Sequence, residues 1–283
     1  YKCRCATKGS YQCDLLILDA MNLYYNTQNA ESKCNWVMRS LLKGWSGASP
    51  VYTRGEFDDT PSHFWGFIQD NEQRIKTLSA QKTDWYFWDM PYWGRWQEHM
   101  DKGYYWRASK NSVHYRKTQD YPNDRFTQWN ITPKEYGTGS KILVCPSSET
   151  MTRYTTGMDV KMWVSMITMA LQKYTDRYIE VRYKPRANGT SGPAAATIPF
   201  EEQAQNTHCV VTCISLAAID AQLLGIPTIC HPNSFAADIS STKLEEIENP
   251  RRVDRQQWFN NLAYSQFTHD EIENGFAQEI LNA

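Results

Sequence analysis

The stretch CVVTCISLAAIDAQLLGIPTICH, residues 209–231, decides the fold. Its first apolar run, Cys209–Cys213, predicts a buried strand, and its last, Thr228–Cys230, predicts a second strand. Between them, small and apolar residues from Leu216 to Leu224 predict a short helix that ends at Gly225. A strand, a helix and another strand in this order form a βαβ unit, so the stretch predicts a parallel sheet in an α/β protein.

The turn into this helix carries small residues that suit a phosphate group. Ser215, Ala217 and Ala218 lie where the carboxyl end of the strand meets the amino end of the helix. A phosphate at this point approaches backbone N–H groups and the positive end of the helix dipole. Asp220, one turn deeper, is placed to reach a sugar hydroxyl. An ordinary βαβ unit, with small residues for close packing, explains the stretch equally well.

The pattern S-x-A-A-x-[DE]-A-x-x-x-G-I-P-x-[IV], which runs from Ser215 to Ile229, resembles the donor-sugar half of GT-B glycosyltransferases. The resemblance covers roughly residues 140–283. It implies an α/β fold of two Rossmann-like domains that face each other across a cleft. It also implies that a nucleoside-diphosphate sugar is the donor, that its diphosphate faces the helix start, and that Asp220 holds the donor ribose.

The length of 283 residues, with 41% hydrophobic residues, suits two domains of about 140 residues each. The sequence GTGS at 137–140 is a candidate linker. We therefore expect an acceptor-binding domain at 1–138 and a nucleotide-sugar-binding domain at 139–283, whose last helix crosses back to the first domain. The net charge of −1 argues against a chain that binds nucleic acid over its whole surface, although residues 102–141 carry 8 basic and 3 acidic side chains.

Strands and helices are predicted to alternate through the rest of the chain. In the first half, the patterns predict a strand within 13–25 that ends at Asp19, strands at 51–59 and 84–90, a helix at 63–81 and irregular structure at 91–139. In the second half, they predict strands at 141–145 and 177–185, a polar loop at 146–157, and helices at 158–174, 254–264 and 268–282.

Polar side chains follow three predicted strands of the second half, at the edge where ligands of open α/β sheets bind. Cations and hydroxyl groups that converge there would stabilise a leaving diphosphate. The alternative is that the cations are solvated surface charges. The donor-site candidates are Ser147, Ser148, Arg153, Arg182, Lys184, Ser215, Ala217 and Asp220.

Inverting glycosyl transfer to a hydroxyl group needs a carboxylate or a histidine that removes its proton. Asp89 ends the strand predicted at 84–90, among aromatic rings that would desolvate it, and is our first candidate. Asp19, at the end of the first predicted strand, is the second candidate. Several acidic residues and His63 also crowd the loop expected after the strand at 51–59. Each carboxylate has an alternative role as a helix cap or turn residue.

The segment GYYWRASKNSVHYRK, residues 103–117, mixes aromatic and basic side chains. This mixture is typical of a nucleic-acid contact, because basic side chains neutralise phosphates while aromatic rings stack on bases. The alternative is an irregular, partly buried loop with ordinary surface charges. We take Arg107, Asn111 and His114 as candidates for binding the acceptor.

A second resemblance rests on five segments: WDMPYWGRW, YWRASKNSVHY, the CPSS loop, VRYKP and ENPRRVDRQQWFNNLAYSQFTHDEI. Together they resemble bacteriophage DNA glycosyltransferases that act on 5-hydroxymethylpyrimidines. The resemblance implies that DNA is the acceptor, that UDP-glucose is the donor substrate and that Asp89 is the base. It also implies the host cytoplasm as the location. No metal and no further cofactor is required, because cationic side chains and a helix N-terminus can stabilise the leaving diphosphate.

Three other functions stay open. A GT-B enzyme that acts on a surface polysaccharide or another carbohydrate shares the nucleotide-binding half. A metal-dependent nuclease is suggested by LLILDAMNLYY, which resembles the first strand of PIN-type nucleases, although such a site needs several clustered carboxylates. The third is a nucleotide-sugar-binding or nucleic-acid-binding protein without catalytic activity.

No run of about 18 apolar residues predicts a membrane helix, and the first residues lack the apolar core of a signal peptide. We therefore expect no membrane partner. Cys209, Cys213 and Cys230 lie in apolar runs, as buried thiols do in a reducing compartment such as the cytoplasm. Four further cysteines match no standard zinc site in their spacing, so no metal is predicted there; they are Cys3, Cys5, Cys13 and Cys34.

Overall fold

A computed structural model of the chain describes residues 20–52, 58–93, 104–184 and 198–283. These residues form an α/β protein with two sheets. The strands are β1 (Met21–Tyr24), β2 (Ala48–Val51), β3 (Ser62–Trp65), β4 (Trp85–Asp89), β5 (Tyr105–Lys110), β6 (Lys141–Cys145), β7 (Tyr178–Val181), β8 (Thr207–Thr212), β9 (Thr228–Cys230) and β10 (Gln266–Thr268). The helices are α1 (Lys33–Gly44), α2 (Asn71–Gln81), α3 (Asp124–Thr127), α4 (Glu149–Thr156), α5 (Val160–Leu171), α6 (Phe200–Gln203), α7 (Ala217–Leu223), α8 (Gln256–Tyr264), α9 (His269–Glu273) and α10 (Phe276–Asn282).

The first sheet has the strand order β10-β5-β4-β3-β1-β2. Strands β1 to β4 run parallel, whereas β5 pairs antiparallel with β4, and β10 pairs antiparallel with β5. Helices α1 and α2 follow β1 and β3, as crossovers between parallel strands require. Because β4 lies inside the sheet, its aromatic side chains are covered on both faces, and Phe87 and Trp88 are fully buried.

The second sheet has the order β7-β6-β8-β9, and all its strands are parallel. The βαβ unit predicted at 209–231 is confirmed as β8, α7 and β9. Gly225 ends α7 with a φ of +71°, and a Cβ atom there would lie 2.0 Å from the carbonyl oxygen of Glu135, so only glycine fits. Every residue of β8 and β9 is buried, which explains the apolar runs in the sequence.

One hydrophobic cluster joins the two sheets. The first half contributes Phe64, Ile75 and Phe87, and the second half contributes Val144 and Val211, among others. A second cluster covers the opposite face of the first sheet with α1, α9 and α10. Among the described residues, no helix has the length and apolar composition needed to span a bilayer.

Two predicted boundaries in the chain are wrong. Residues 62–65 form β3 rather than the start of the helix predicted at 63–81, which begins only at Asn71. Phe64 and Phe67 fitted a helical spacing, but Gly66 takes a φ of +50° and separates the strand from the helix. The loop predicted at 146–157 contains α4, whose first turn is capped by Ser148.

Two strands lie where the sequence predicted other structure. Strand β5 lies within the segment 91–139, which was expected to be irregular. Strand β10 lies just before the helices at the carboxyl end. Both strands carry polar residues beside aromatic ones, so their alternation was weak. The last helix was expected to cross back to the first half, and α10 does contact β5 and joins the cluster on the first sheet, as does β10 by pairing with β5.

The strand predicted within 13–25 was expected to end at Asp19, and its residues up to 19 lie outside the described part of the chain. The described strand β1 occupies Met21–Tyr24, where a turn was expected, and its carboxyl end lies beside Tyr25. Asp19, the second candidate base, lies outside the described residues. His63 was expected in an acidic loop, but it lies within β3 and is completely buried.

Candidate active site

The loops that follow β6, β8 and β9 form one connected surface at the carboxyl edge of the second sheet. Ser147 Oγ accepts a hydrogen bond from the backbone N–H of Ile214 at 3.0 Å. The backbone N–H of His231 donates to the carbonyl of Cys213 at 3.1 Å. These two bonds hold the three loops together, so the edge on which ligands of parallel sheets bind is a rigid platform.

Two serine hydroxyls of this platform accept hydrogen bonds at the start of the helices that follow it. Ser148 Oγ accepts a hydrogen bond from the N–H of Met151 at the start of α4, and Ser215 Oγ accepts one from the N–H of Ala217 at the start of α7. A hydroxyl that accepts such a bond can still donate its own proton to a ligand. Ser147, by contrast, is only 5% exposed and serves the loop contact.

Ala217 and Asp220 lie on α7, beside this platform. Ala217 is the first residue of the helix and Asp220 the fourth. Burial raises the pKa of the Cys145 thiol to about 12, although the charge of Arg182 lowers it. The charge of Asp220 raises the same pKa further, so the Asp220 carboxylate lies near Cys145 at the end of β6. The structure therefore brings Asp220 and the Ser215 turn to the same edge.

The three cations predicted for the donor site have other partners or other places. Arg153 lies in the last turn of α4 and pairs with Glu149 at 2.8 Å. Arg182 is 9% exposed, donates to the carbonyl of Ile198 at 3.0 Å and stands over the ring of Phe200. Both guanidinium groups are thus engaged by other groups of the protein, although Arg182 lies near the end of β6, since its backbone N–H donates to the carbonyl of Val144 at 2.9 Å. The third cation, Lys184, is exposed after the edge strand β7.

Asp89 and Arg107 form an ion pair across β4 and β5. Arg107 Nη2 donates to Asp89 Oδ2 at 2.6 Å, and the backbone N–H of Met90 donates to Asp89 Oδ1 at 2.7 Å. The side chain of Arg107 is 3% exposed and that of Asp89 is 28% exposed. The carboxylate is therefore fixed in orientation, while each oxygen retains a second lone pair.

The same arginine links the two sheets through His114. Arg107 Nη1 donates to the carbonyl of Val113 at 2.7 Å and to His114 Nδ1 at 3.1 Å, which leaves the imidazole proton on Nε2. Burial, together with the charge of Arg107, holds the pKa of His114 well below its usual range. A hydrogen bond with the backbone of Ile214 has the opposite, smaller effect on this pKa. Arg107 and His114 are thus interior residues whose contacts connect Asp89 to the β8 loop.

Aromatic rings complete this connection between the sheets. The ring of His114 stacks on Phe235 with centroids 4.6 Å apart, and the Arg107 guanidinium stands 5.6 Å from the ring of Tyr92. Asn111, the third acceptor candidate, lies apart from them at the far end of β5. Its Oδ1 accepts from the N–H of Trp85 at 2.9 Å, so Asn111 closes the edge of the sheet.

Sequence reasoning missed His231, which follows β9 on the same platform. Its Nδ1 accepts a hydrogen bond from the N–H of Asn233 at 3.1 Å, so the neutral ring carries its proton on Nε2. Partial burial, and then the charge of Arg116, lower its pKa below the usual range. The signal was present in the sequence, because His231 directly follows the last apolar run of the βαβ unit.

Solved structures similar to this chain are sugar transferases. The β-Kdo 2,7 transferase of KpsC from Thermosulfurimonas dismutans aligns with a TM-score of 0.52 and 13% identity, over 94% of this chain and 100% of that one. The β-Kdo 2,4 transferase of KpsC from the same organism aligns with a TM-score of 0.51 and 12% identity, over 88% of this chain and 91% of that one. No protein-family profile and no curated protein matches the sequence.

This similarity establishes the fold. The α/β architecture with two sheets, expected from the βαβ unit, is confirmed as the fold of these glycosyltransferases over nearly the whole chain. Neither of the two structures is a DNA glycosyltransferase, so the resemblance to the bacteriophage enzymes gains no support from them.

Proposed function

We propose that this protein is a glycosyltransferase that moves a sugar from a nucleotide-activated donor to a hydroxyl group of an acceptor. The observation that carries the proposal is the fold, which is shared with two sugar transferases over about nine-tenths of the chain or more. A fold alone hosts many activities, so the proposal also needs a suitable site. The platform of the second sheet is such a site.

The donor binds on the platform. The hydroxyl groups of Ser148 and Ser215 and the Nε2–H of His231 are neutral hydrogen-bond donors at the ends of three neighbouring strands. Such donors stabilise the negative charge that develops on a leaving phosphate group. Asp220 is the candidate that binds a hydroxyl group of the donor sugar nucleotide. Lys184 is a candidate for binding its phosphate. Unchanged affinity for the donor in Lys184→Ala would contradict that role of Lys184. UDP-glucose is the first donor to test.

Asp89 is the proposed general base. Its carboxylate ends β4, at the carboxyl edge of the first sheet, and the chain of contacts through Arg107 and His114 connects it to the β8 loop. A base must be oriented before the acceptor arrives, and the hydrogen bonds from Arg107 and from the N–H of Met90 hold the carboxylate in place.

A carbohydrate hydroxyl is the acceptor that the similar structures favour, since both are named as transferases of the sugar Kdo. A 5-hydroxymethylpyrimidine in DNA is the second candidate. The observation in its favour is the excess of basic side chains in residues 102–141, which hold 8 basic and 3 acidic residues.

A transfer assay tests the function. The protein is incubated with UDP-, GDP- and CMP-activated sugars, each with a set of oligosaccharides or with duplex DNA that contains 5-hydroxymethylcytosine or 5-hydroxymethyluracil. Mass spectrometry then detects an added sugar on oligosaccharides or digested nucleosides, with unmodified DNA as the control. We expect a mass increment that depends on both substrates.

The variants Ser215→Val and Asp220→Asn should raise the KM for the donor, whereas Ser165→Val, on an exposed face of α5, should not. Absence of transfer with every donor, together with no shift of the melting temperature by any nucleotide, would contradict the proposed function.

A further inference from the structure

A cavity of about 430 Å³ lies at the carboxyl end of β5, where Asn111 and basic side chains line it. We call it the basic pocket. Its walls include Lys110, Arg116 and Lys117, with the ring of Tyr115 and the side chain of Leu281 between them. Tyr115 is 5% exposed and Leu281 is 1% exposed, so the apolar part of the wall is fixed by packing.

The charges of the pocket are unbalanced. Lys110 pairs with Asp84 at 2.7 Å, whereas the backbone carbonyl of Pro232 is the acceptor for Arg116 at 3.2 Å. Burial alone would raise the pKa of Asp84, but hydrogen bonds from Lys110 and Asn111, helped by the charges of Lys110 and Lys117, hold it below its usual value. Among the described residues, Lys110 is the one cation of this wall with a carboxylate partner, which leaves an excess of positive charge.

The pocket adjoins the platform of the second sheet. Pro232, which accepts the hydrogen bond from Arg116, directly follows His231. The charge of Arg116 also lowers the pKa of His231, so the two side chains lie close together. The backbone N–H of Tyr115 donates to the hydroxyl of Tyr92 at 3.2 Å, which ties the other side of the pocket to the aromatic connection between the sheets.

We propose that the basic pocket binds an anionic substituent, a carboxylate or a phosphate group, of a carbohydrate acceptor, so that the acceptor is an acidic glycan. This inference rests on the proposed function. Arginine and lysine side chains bind such oxyanions through charge-assisted hydrogen bonds, which are stronger than bonds between neutral groups. A cavity of about 430 Å³ is in the range of small-ligand sites and suits one or two sugar rings.

The same observations favour an acidic glycan over DNA. Residues 140–283 carry 12 basic and 16 acidic side chains, so a polymer with a charge on every residue would meet repulsion from the second half. Tyr115 is buried in the wall and presents no free face on which a base would stack. A glycan with a single anionic substituent requires only the local excess of positive charge in the basic pocket for its binding.

The test compares two ligands that differ only in charge. Trigalacturonic acid and its methyl ester are titrated against the protein without any donor, and binding is followed by isothermal calorimetry or by NMR. We expect the acid to bind roughly tenfold or more tightly than the ester, because charge-assisted hydrogen bonds are lost in the ester. In the variant Arg116→Gln/Lys117→Gln, both ligands should bind equally weakly.

A matched control carries the same charge change elsewhere. Lys161→Gln/Lys173→Gln alters two exposed lysines at the ends of α5, and this variant should keep the preference for the acid. Equal binding of acid and ester by the original protein, binding of neither, or a preference that survives in the pocket variant would overturn the proposal.

A single-stranded oligonucleotide that binds more tightly than the acid, and only with the pocket intact, would also overturn the proposal, in favour of nucleic acid. Because no donor is present, the result is independent of the transfer assay.

Discussion

At the scale of single residues, the pair of Asp89 and Arg107 combines a structural and a proposed catalytic role. Asp89→Asn leaves a 3%-exposed guanidinium without its anionic partner. We expect a loss of roughly 2 kcal/mol in the free energy of unfolding, less than for a fully buried pair because Asp89 is partly exposed. As the proposed base, Asp89→Asn should also lower kcat by about 10²-fold or more. Urea unfolding and steady-state kinetics measure the two effects.

The variant Arg107→Lys separates these roles. It keeps a cation beside Asp89 but loses the contacts to Val113 and His114, so its unfolding free energy should fall by a similar amount. If Asp89 is the base, kcat should fall far more in Asp89→Asn than in Arg107→Lys. Equal losses of kcat in both variants would show that the aspartate only positions its neighbours.

Two buried histidines give the protein a dependence on pH. Burial holds the pKa values of His63 and His114 well below the usual range, with the charge of Arg107 adding to the effect at His114. Below pH about 6.5 the unfolded chain takes up protons on these residues and the folded protein does not, so acid favours unfolding. Their stabilising contribution is complete above this pH and declines below it, by at most about 1.4 kcal/mol per pH unit for each histidine.

Urea unfolding at pH 7.5, 6.5 and 5.5 measures this decline. The variant His63→Phe keeps a ring between Trp45 and Tyr86. Its free energy of unfolding should fall less steeply with decreasing pH, because one of the two buried histidines is gone. The variant should be less stable at neutral pH, because Trp88 Nε1 loses its acceptor. An unchanged slope in the variant would mean that His63 is not responsible.

The sequence indicated part of the site at this scale, and the reason lies in local contacts. Ser148 and Ser215 were predicted because they follow apolar strands; each hydroxyl does accept a hydrogen bond at a helix start, and its role toward a donor stays a prediction. Arg182 was predicted to bind a phosphate because it follows a predicted strand, whereas its bond to the carbonyl of Ile198, 16 residues away, belongs to no motif. The role of His114 depends on Arg107 and on packing against Phe235, which a single sequence does not encode as a pattern.

At the scale of elements, strands with a clear local pattern were predicted correctly, and strands that depend on contacts with distant residues were not. The strands β6, β8 and β9 were predicted because they are buried on both faces and therefore apolar throughout. Strand β10 has three residues, and β5 carries Arg107, whose charge is neutralised by Asp89 on the neighbouring strand. Without that partner, a buried arginine looks like a loop residue in the sequence.

The contact between α1 and α9 depends on Gly44, the last residue of α1. A Cβ atom at Gly44 would lie 1.9 Å from the carbonyl oxygen of Ile272 and 2.8 Å from Cα of Glu273. Because these are backbone atoms, the helices would have to move apart. We expect Gly44→Ala to lower the free energy of unfolding by about 1–3 kcal/mol, as overpacking generally does. Chemical denaturation followed by tryptophan fluorescence measures the change.

Gly137→Ala is the matched control for this substitution. No atom lies within 4 Å of a Cβ placed at Gly137, so the new methyl group meets open space. The variant should be as stable as the original protein, or slightly more stable because alanine restricts the unfolded chain. A loss in Gly44→Ala no larger than the effect of Gly137→Ala would contradict the close approach of α1 and α9.

At the scale of the whole molecule, the two halves are interdependent. The cluster that contains Phe87 and Val211 has members on both sheets, and β10 from the end of the chain pairs with β5 of the first sheet. Two domains were expected from the length and from the linker at 137–140. The shared core was not, because pairing between distant segments leaves no local periodicity.

This interdependence predicts how the chain unfolds and how its parts behave. The intact protein should unfold in urea in a single transition, with tryptophan fluorescence and circular dichroism coincident. The fragments 1–138 and 139–283, produced separately, should lack cooperative unfolding. The first fragment loses β10 and the helices that cover its sheet, and the second exposes Phe267, Ile272 and Leu281, which pack in a cluster with residues of the first half. A cooperative transition in either fragment, or two separate transitions in the intact chain, would show that the halves fold independently.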